Sequence, residues 1–142
     1  GLVQLDRLSA FQSRREHLAQ RYKNGLSGLP LKLPAYGNID DQHAWHLYVV
    51  RLSDEAITDG FDRDSLINHL SKVGIGTSVH YVPLHRQPYW RDSLDIDITK
   101  FQISEKAYQQ MVSIPLYTSM SDGDQDRIVT EINSFFSKTH KA

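Results

Sequence analysis

The sequence predicts an α+β domain in which helices pack on a small sheet, and three observations carry that prediction. Apolar residues recur at helical spacing in some stretches and gather as β-branched and aromatic runs in others, so both element types are expected. Capping and turn residues separate these stretches, and no internal repeat or low-complexity tract interrupts them. A chain of 142 residues can bury one core without metal or disulfide support.

The first element is an amphipathic helix from Leu2 to about Asn24, marked by Leu5, Leu8, Phe11, Leu18, Ala19, Tyr22 and Leu26 with charged residues between them. No Ser, Thr, Asp or Asn precedes Leu2 as a cap and no initiator Met is present, so the helix is expected to be cut at its N-terminal end. Asn24-Gly25 and Gly28-Leu29-Pro30 supply stop signals, and Pro30 to Gln42, with its Asn38-Ile39-Asp40-Asp41 cluster, is expected to be a loop. Trp45 to Leu52 reads as a strand buried on at least one face. Asp62 is placed to cap a helix through Leu66, Ile67, Leu70 and Val73, which Gly74 ends.

Thr77 to Val82 is the expected second strand, stopped near Pro83, which has no N–H for a ladder. The alternation in Leu94-Asp95-Ile96-Asp97-Ile98 fits either an edge strand or an irregular loop. Ser104 is expected to cap a short helix through Ala107 and Met111, and a brief strand over Val112 to Tyr117 is closed by Pro115. Ser121 and Asp124 have capping-box spacing ahead of a helix carrying Ile128, Val129, Ile132, Phe135 and Phe136, with Lys138, His140 and Lys141 at its negative end. The expected order is helix, strand, helix, strand, helix, strand, helix.

A formal net charge of -1 with interspersed signs leaves no footprint for nucleic acid or an anionic membrane. The absence of cysteine excludes a disulfide framework, a thiolate nucleophile and a Cys-type zinc site. No apolar run approaches the roughly 20 residues needed to cross a bilayer. A soluble, cytoplasmic protein is expected.

The densest chemistry lies between Gly74 and Trp90, where a turn, a strand and two histidines stand beside aromatic residues. Together with Gly1-Leu2-Val3-Gln4-Leu5, Arg14, Arg15, Ala19, Tyr22, His46-Leu47-Tyr48, Gly74-Ile75-Gly76-Thr77, His80-Tyr81, Pro83-Leu84-His85, Gln87, Tyr89, Ser113-Ile114-Pro115-Leu116-Tyr117 and Asp126-Arg127-Ile128, it resembles the DegT/DnrJ/StrS-type sugar aminotransferases. The resemblance runs in order from Gly1 to about Ile132.

The resemblance implies the C-terminal small domain of a fold-type I, pyridoxal-phosphate-dependent enzyme, with a mainly antiparallel sheet. Residues 1–142 are then that domain alone, and the N-terminal large domain, with the cofactor lysine, the aspartate facing the pyridine nitrogen and most of the phosphate cup, is absent. The seven lysines of the chain match none of those motifs. No cofactor is therefore expected on this chain by itself, no catalytic residue is assigned, and the isolated chain is expected to be inactive. The implied reaction of the parent moves the amino group of glutamate, leaving 2-oxoglutarate, to a keto group on a nucleotide-linked sugar, as in amino-sugar biosynthesis. A homodimeric parent is implied too. The isolated domain is expected to self-associate weakly through apolar surface around Leu2, Val3, Leu5 and the second strand.

The implied substrate-binding residues are His80, Tyr81 and His85. His80 matches a histidine near the carboxylate of the amino donor or keto acid, where a carboxylate would favour the imidazolium donor. In an extended strand Ser78, His80 and Val82 would face away from Thr77, Val79 and Tyr81. Tyr81 is expected to pack behind His80, and His85 either to line the rim or to brace the loop. Trp45 and Tyr48 are expected in the core, and Arg14 and Arg15 on a solvated face or in an interdomain salt bridge. Two other classes remain open: a nitrogen-rich zinc site from His43, His46, His80 and His85, and a non-catalytic relative that binds a sugar nucleotide or regulates.

Overall fold

The computed structural model describes residues 1–37, 41–93 and 97–137. Its architecture is α+β, as expected, with helices packed on a small antiparallel sheet. The opening helical pattern forms two helices, α1 over Leu2–Asp6 and α2 over Leu8–Leu26, separated at Arg7. Leu18, Ala19, Tyr22 and Leu26 are buried on one face of α2, whereas Leu2, Val3, Leu5 and Leu8 remain exposed. The pattern is thus one stripe by spacing, but only its second half meets a core.

The sheet orders three strands as β1 (Leu31–Lys32), β2 (Tyr48–Leu52) and β3 (Met111–Ile114), all antiparallel. Strand β2 is central, and its period of two sends Tyr48, Val50 and Leu52 into the core. Val112 and Ile114 of β3 pair with Val50 and Tyr48 and share that face. Ser113, between them, points to the opposite face. Strand β1 lies inside the expected loop and was illegible because two residues carry no period. The expected strand from Trp45 starts only at Tyr48, because Trp45 takes a left-handed φ of 47°. Its indole is nonetheless buried, donates to Glu16, and stacks on Tyr48 with centroids 5.8 Å apart. Trp45 and Tyr48 are core residues, as expected.

A short helix, α3 (Asp54–Thr58), was not foreseen, although Ser53 caps it through Ala56 N–H at 3.2 Å. Helix α4 (Arg63–Lys72) is capped by Asp62 through Ser65 N–H at 2.9 Å and ends at Gly74, whose φ of 74° suits a residue without Cβ. After a 3-10 turn at Leu84–Arg86 come α5 (Pro88–Ser93), a second 3-10 turn at Ile98–Phe101, and α6 (Gln102–Gln110). Ser104 therefore lies inside α6 and caps nothing; Asp97 caps the preceding 3-10 turn through Thr99 N–H at 3.0 Å. The alternation at 94–98 lies mostly outside the described residues, as do Asn38-Ile39-Asp40 and the basic tail from Lys138.

The capping box forms as spacing required: Ser121 Oγ accepts from Asp124 N–H at 3.1 Å, and the Asp124 carboxylate accepts in return. It starts α7 (Asp122–Ser137), which packs on α2. Gly25 permits the close approach, since a Cβ there would come within 2.8 Å of Val129 Cγ1. The contact is locked by buried Gln125, which donates to Leu18 C=O at 2.7 Å and accepts from Arg21 at 2.9 Å. Among the described residues no helix is long and apolar enough to cross a membrane.

Candidate functional site

The 74–90 segment leaves α4 through Gly74, and Ile75 anchors it in the core. Ser78 then forms an isolated antiparallel bridge to Ser113, on the edge of β3 away from β2, with N···O distances of 3.0 and 2.8 Å. The expected strand over Thr77–Val82 shrinks to this one bridge. Tyr81 adopts a φ of 40°, which breaks the pleat, and the expected alternation of faces fails with it. A left-handed non-glycine residue costs about 1–2 kcal/mol, so the surrounding bonds must hold Tyr81 there.

His80 is half-buried, with Nδ1 2.7 Å from Ser113 Oγ. Its Nε2 has no partner among the described residues. A neutral ring that accepts from the Ser113 hydroxyl carries its proton on Nε2, and a doubly protonated ring does so as well. The strand position of Ser113 thus aims Nε2 outward, as a donor whenever Nδ1 accepts from the hydroxyl or both nitrogens are protonated. Tyr81, expected behind His80, is instead 86% exposed, its ring edge-on to the imidazole at 5.9 Å. With Leu84, Gln87, Tyr89 and Trp90 it lines an open concavity of about 680 Å³, to which His80 does not contribute.

His85 turns the other way and is 4% exposed. Its ring stacks on Phe101 at 4.7 Å, and Nε2 lies 2.5 Å from Glu105 Oε1. Its bonds brace the turn, and its ring also lines a shallow concavity with Leu84, Trp90, Phe101 and Ser104. Arg86 closes on the same carboxylate, Nε donating at 2.7 Å and Nη2 to the second oxygen, with its guanidinium 5.5 Å from the Tyr108 ring centre. Arg86, then burial in opposition, then His85 set the Glu105 pKa, which lies below the ordinary carboxylate value.

Ser113 and Glu105 are the residues sequence reasoning missed. Ser113 stood inside a quoted motif without a partner, and nothing in the sequence joins Glu105 to positions twenty residues earlier. Arg14 and Arg15 serve as braces: Arg14 donates to Met120 C=O at 2.6 Å and to Asp122 at 2.8 Å, and Arg15 to Ala44 C=O at 2.7 Å. The four histidines proposed for zinc do not converge, and among the described residues no group of three or more His, Cys, Asp or Glu is arranged to hold a metal. His43 instead accepts from Trp45 N–H at 2.9 Å.

A sequence model of the DegT/DnrJ/EryC1/StrS aminotransferase family matches residues 1–133. The chain belongs to that family. Among relatives in the family, spore coat polysaccharide biosynthesis protein SpsC of Bacillus subtilis is 36% identical over 133 residues, which are 93% of this chain and 34% of SpsC. The putative sugar aminotransferase Spr1654 of Streptococcus pneumoniae, solved in PMP and PLP forms, superposes with a TM-score of 0.86 in its PMP form at 29% identity, over 98% of this chain and 34% of that one. The aminotransferase TlmJ of Streptoalloteichus hindustanus gives a TM-score of 0.81 at 27% identity, over 96% and 35%. The chain thus spans about a third of the length of these family members.

Family membership implies pyridoxal phosphate in full-length homologues. The described lysines do not form a site that fits it. Lys32 and Lys106 lie 3.7 and 2.7 Å from Asp54, the Lys23 ammonium sits 4.3 Å from the Tyr36 ring centre, and Lys72 and Lys100 are exposed. Amino transfer itself is assigned to none of them.

Proposed function

We propose that this chain is the C-terminal small domain of an aminotransferase that moves the amino group of glutamate to a keto sugar carried on a nucleotide. Its match over residues 1–133, at a third of its relatives' length, supports this reading, as do the sugar aminotransferase and polysaccharide names those relatives carry. In balance, glutamate becomes 2-oxoglutarate and the keto group becomes an amine. The complete enzyme is expected to be a cytoplasmic homodimer whose large domain binds pyridoxal phosphate.

The observation that carries this chain's own part is the Ser113–His80 bond. It orients an imidazole whose Nε2–H can donate to the carboxylate of glutamate or 2-oxoglutarate, and the approaching anion favours the charged ring. Tyr81 presents its ring beside His80 to the substrate, and His85 holds the turn that follows.

The test is an absorption spectrum of the complete protein loaded with pyridoxal phosphate, before and after glutamate. A cofactor band that shifts on addition of glutamate supports the reading. A charged hydrogen bond is worth about 1.5–3 kcal/mol, so His80→Ala should raise KM for glutamate at least about tenfold. A folded, complete protein with no cofactor band would favour the non-catalytic, sugar-nucleotide-binding alternative.

A further inference from the structure

We propose that Glu105 is a positioning residue that sets the shape of the Tyr81–Trp90 concavity through His85 and Arg86, and thereby its affinity for the base of the nucleotide-linked substrate. This rests on the aminotransferase reading of the same face.

The segment from Tyr81 to Trp90 has no ladder to hold it. Its internal bonds are local: Arg86 N–H to Pro83 C=O at 2.9 Å, Gln87 N–H to Leu84 C=O at 3.0 Å, and the Gln87 side-chain Nε2–H to Val82 C=O at 3.4 Å. Apart from the Arg91 N–H bond to Gln87 C=O at 2.9 Å and the ladder of α5, which only continue the chain, the side-chain hydrogen bonds and ion pairs that tie this segment to the remainder of the described domain end on the carboxylate of Glu105. Both of its oxygens are engaged, one by His85 and Arg86, the other by Arg86 alone. Stacking of His85 on Phe101 and of Arg86 over Tyr108 fixes the directions of approach. A single anion on α6 therefore decides where a strained, largely unpaired segment sits.

The segment presents Tyr81, Tyr89 and Trp90 to solvent around one amide, that of Gln87. Aromatic faces with a single hydrogen-bonding edge suit a planar heterocycle, because any base has a π-face to stack while the amide can meet its polar edge. Among the described residues the wall of the concavity holds no cation, so the base, not the diphosphate, is the part it fits.

The experiment uses the complete protein with uridine diphosphate and thymidine diphosphate as calorimetric probes, hydrogen exchange of residues 81–90, and the glutamate-driven absorbance change as a separate readout. Glu105→Gln keeps the size of the side chain and removes its charge. It is expected to weaken probe binding about tenfold, in line with the loss of one base-stacking contact. Exchange should rise in 81–90 alone, while KM for glutamate stays as in wild type. Asp54→Asn is the control, because it removes a comparable carboxylate bonded to Lys106 and Gln110 of the same helix without touching the segment. It should change neither binding nor exchange in 81–90.

Should Glu105→Gln fail to fold, Arg86→Lys keeps the charge but loses the fork, and should weaken the same probes. Unchanged probe affinity in a folded Glu105→Gln protein, or equal weakening by Asp54→Asn, overturns the inference. Wild-type protein that reacts with glutamate but binds neither probe refutes the base site alone. Wild-type protein that binds a probe without reacting with glutamate refutes the aminotransferase reading alone.

Discussion

Replacing Ser113 by alanine removes one oxygen and leaves the main chain in place. The Ser78–Ser113 bridge is made by backbone atoms, so the loss is confined to the 2.7 Å contact with His80 Nδ1. A net intramolecular hydrogen bond contributes about 0.5–1.5 kcal/mol, and a half-buried ring can recover part of it from water. The expected cost is about 1 kcal/mol, or about a fivefold fall in the ratio of oriented to freed imidazole. Nitrogen-15 spectra of the ring should then show Nδ1 and Nε2 moving toward the averaged shifts of a solvated histidine. In the complete enzyme KM for glutamate should rise by the same factor, about fivefold, with kcat retained. Ser113→Thr, which keeps the hydroxyl and suits a strand, should restore both. Ring shifts that stay put in a folded Ser113→Ala protein would refute the argument that this bond orients His80.

Stability should fall at both ends of the pH scale. The bonds from Lys106 and then Gln110 hold the Asp54 carboxyl at about 2, below its unfolded value, so its contribution is complete above about pH 4 and disappears as pH falls through 2. Asp54→Asn should flatten that acid limb in circular dichroism, and an unaltered limb would contradict the linkage. Burial, with Glu16 nearby, pushes the Tyr36 hydroxyl up to about 12; the contribution is complete below about pH 10 and disappears as pH rises toward 12. Gly25→Ala should destabilise by about 1 kcal/mol in urea despite alanine's helix propensity, because the stiff Val129 cannot yield cheaply; a gain in stability would refute tight α2–α7 packing. The exposed Leu2, Val3, Leu5 and Leu8 should give concentration-dependent sedimentation of the 142-residue chain, and a strict monomer at high concentration would contradict this.

What the residues announced by themselves is whatever closes within a few positions. The caps at Asp62 and Ser121 each bond a backbone N–H three residues on, so their spacing is their structure. Gly74 ends α4 for an equally local reason, and the alternation of Tyr48, Val50 and Leu52 is the inward face of β2. The ordered motifs that resembled a sugar aminotransferase also stood in the sequence alone. Tertiary structure decided what those signals could not reach. The left-handed Tyr81 ended an apparently good strand, and no periodicity forecasts the φ of one residue. His80 met Ser113 across 33 positions, and His85 met Glu105 across 20. Such pairs form only once the sheet and α6 have been stacked by the burial of the core, which fixes distances that chain spacing leaves free.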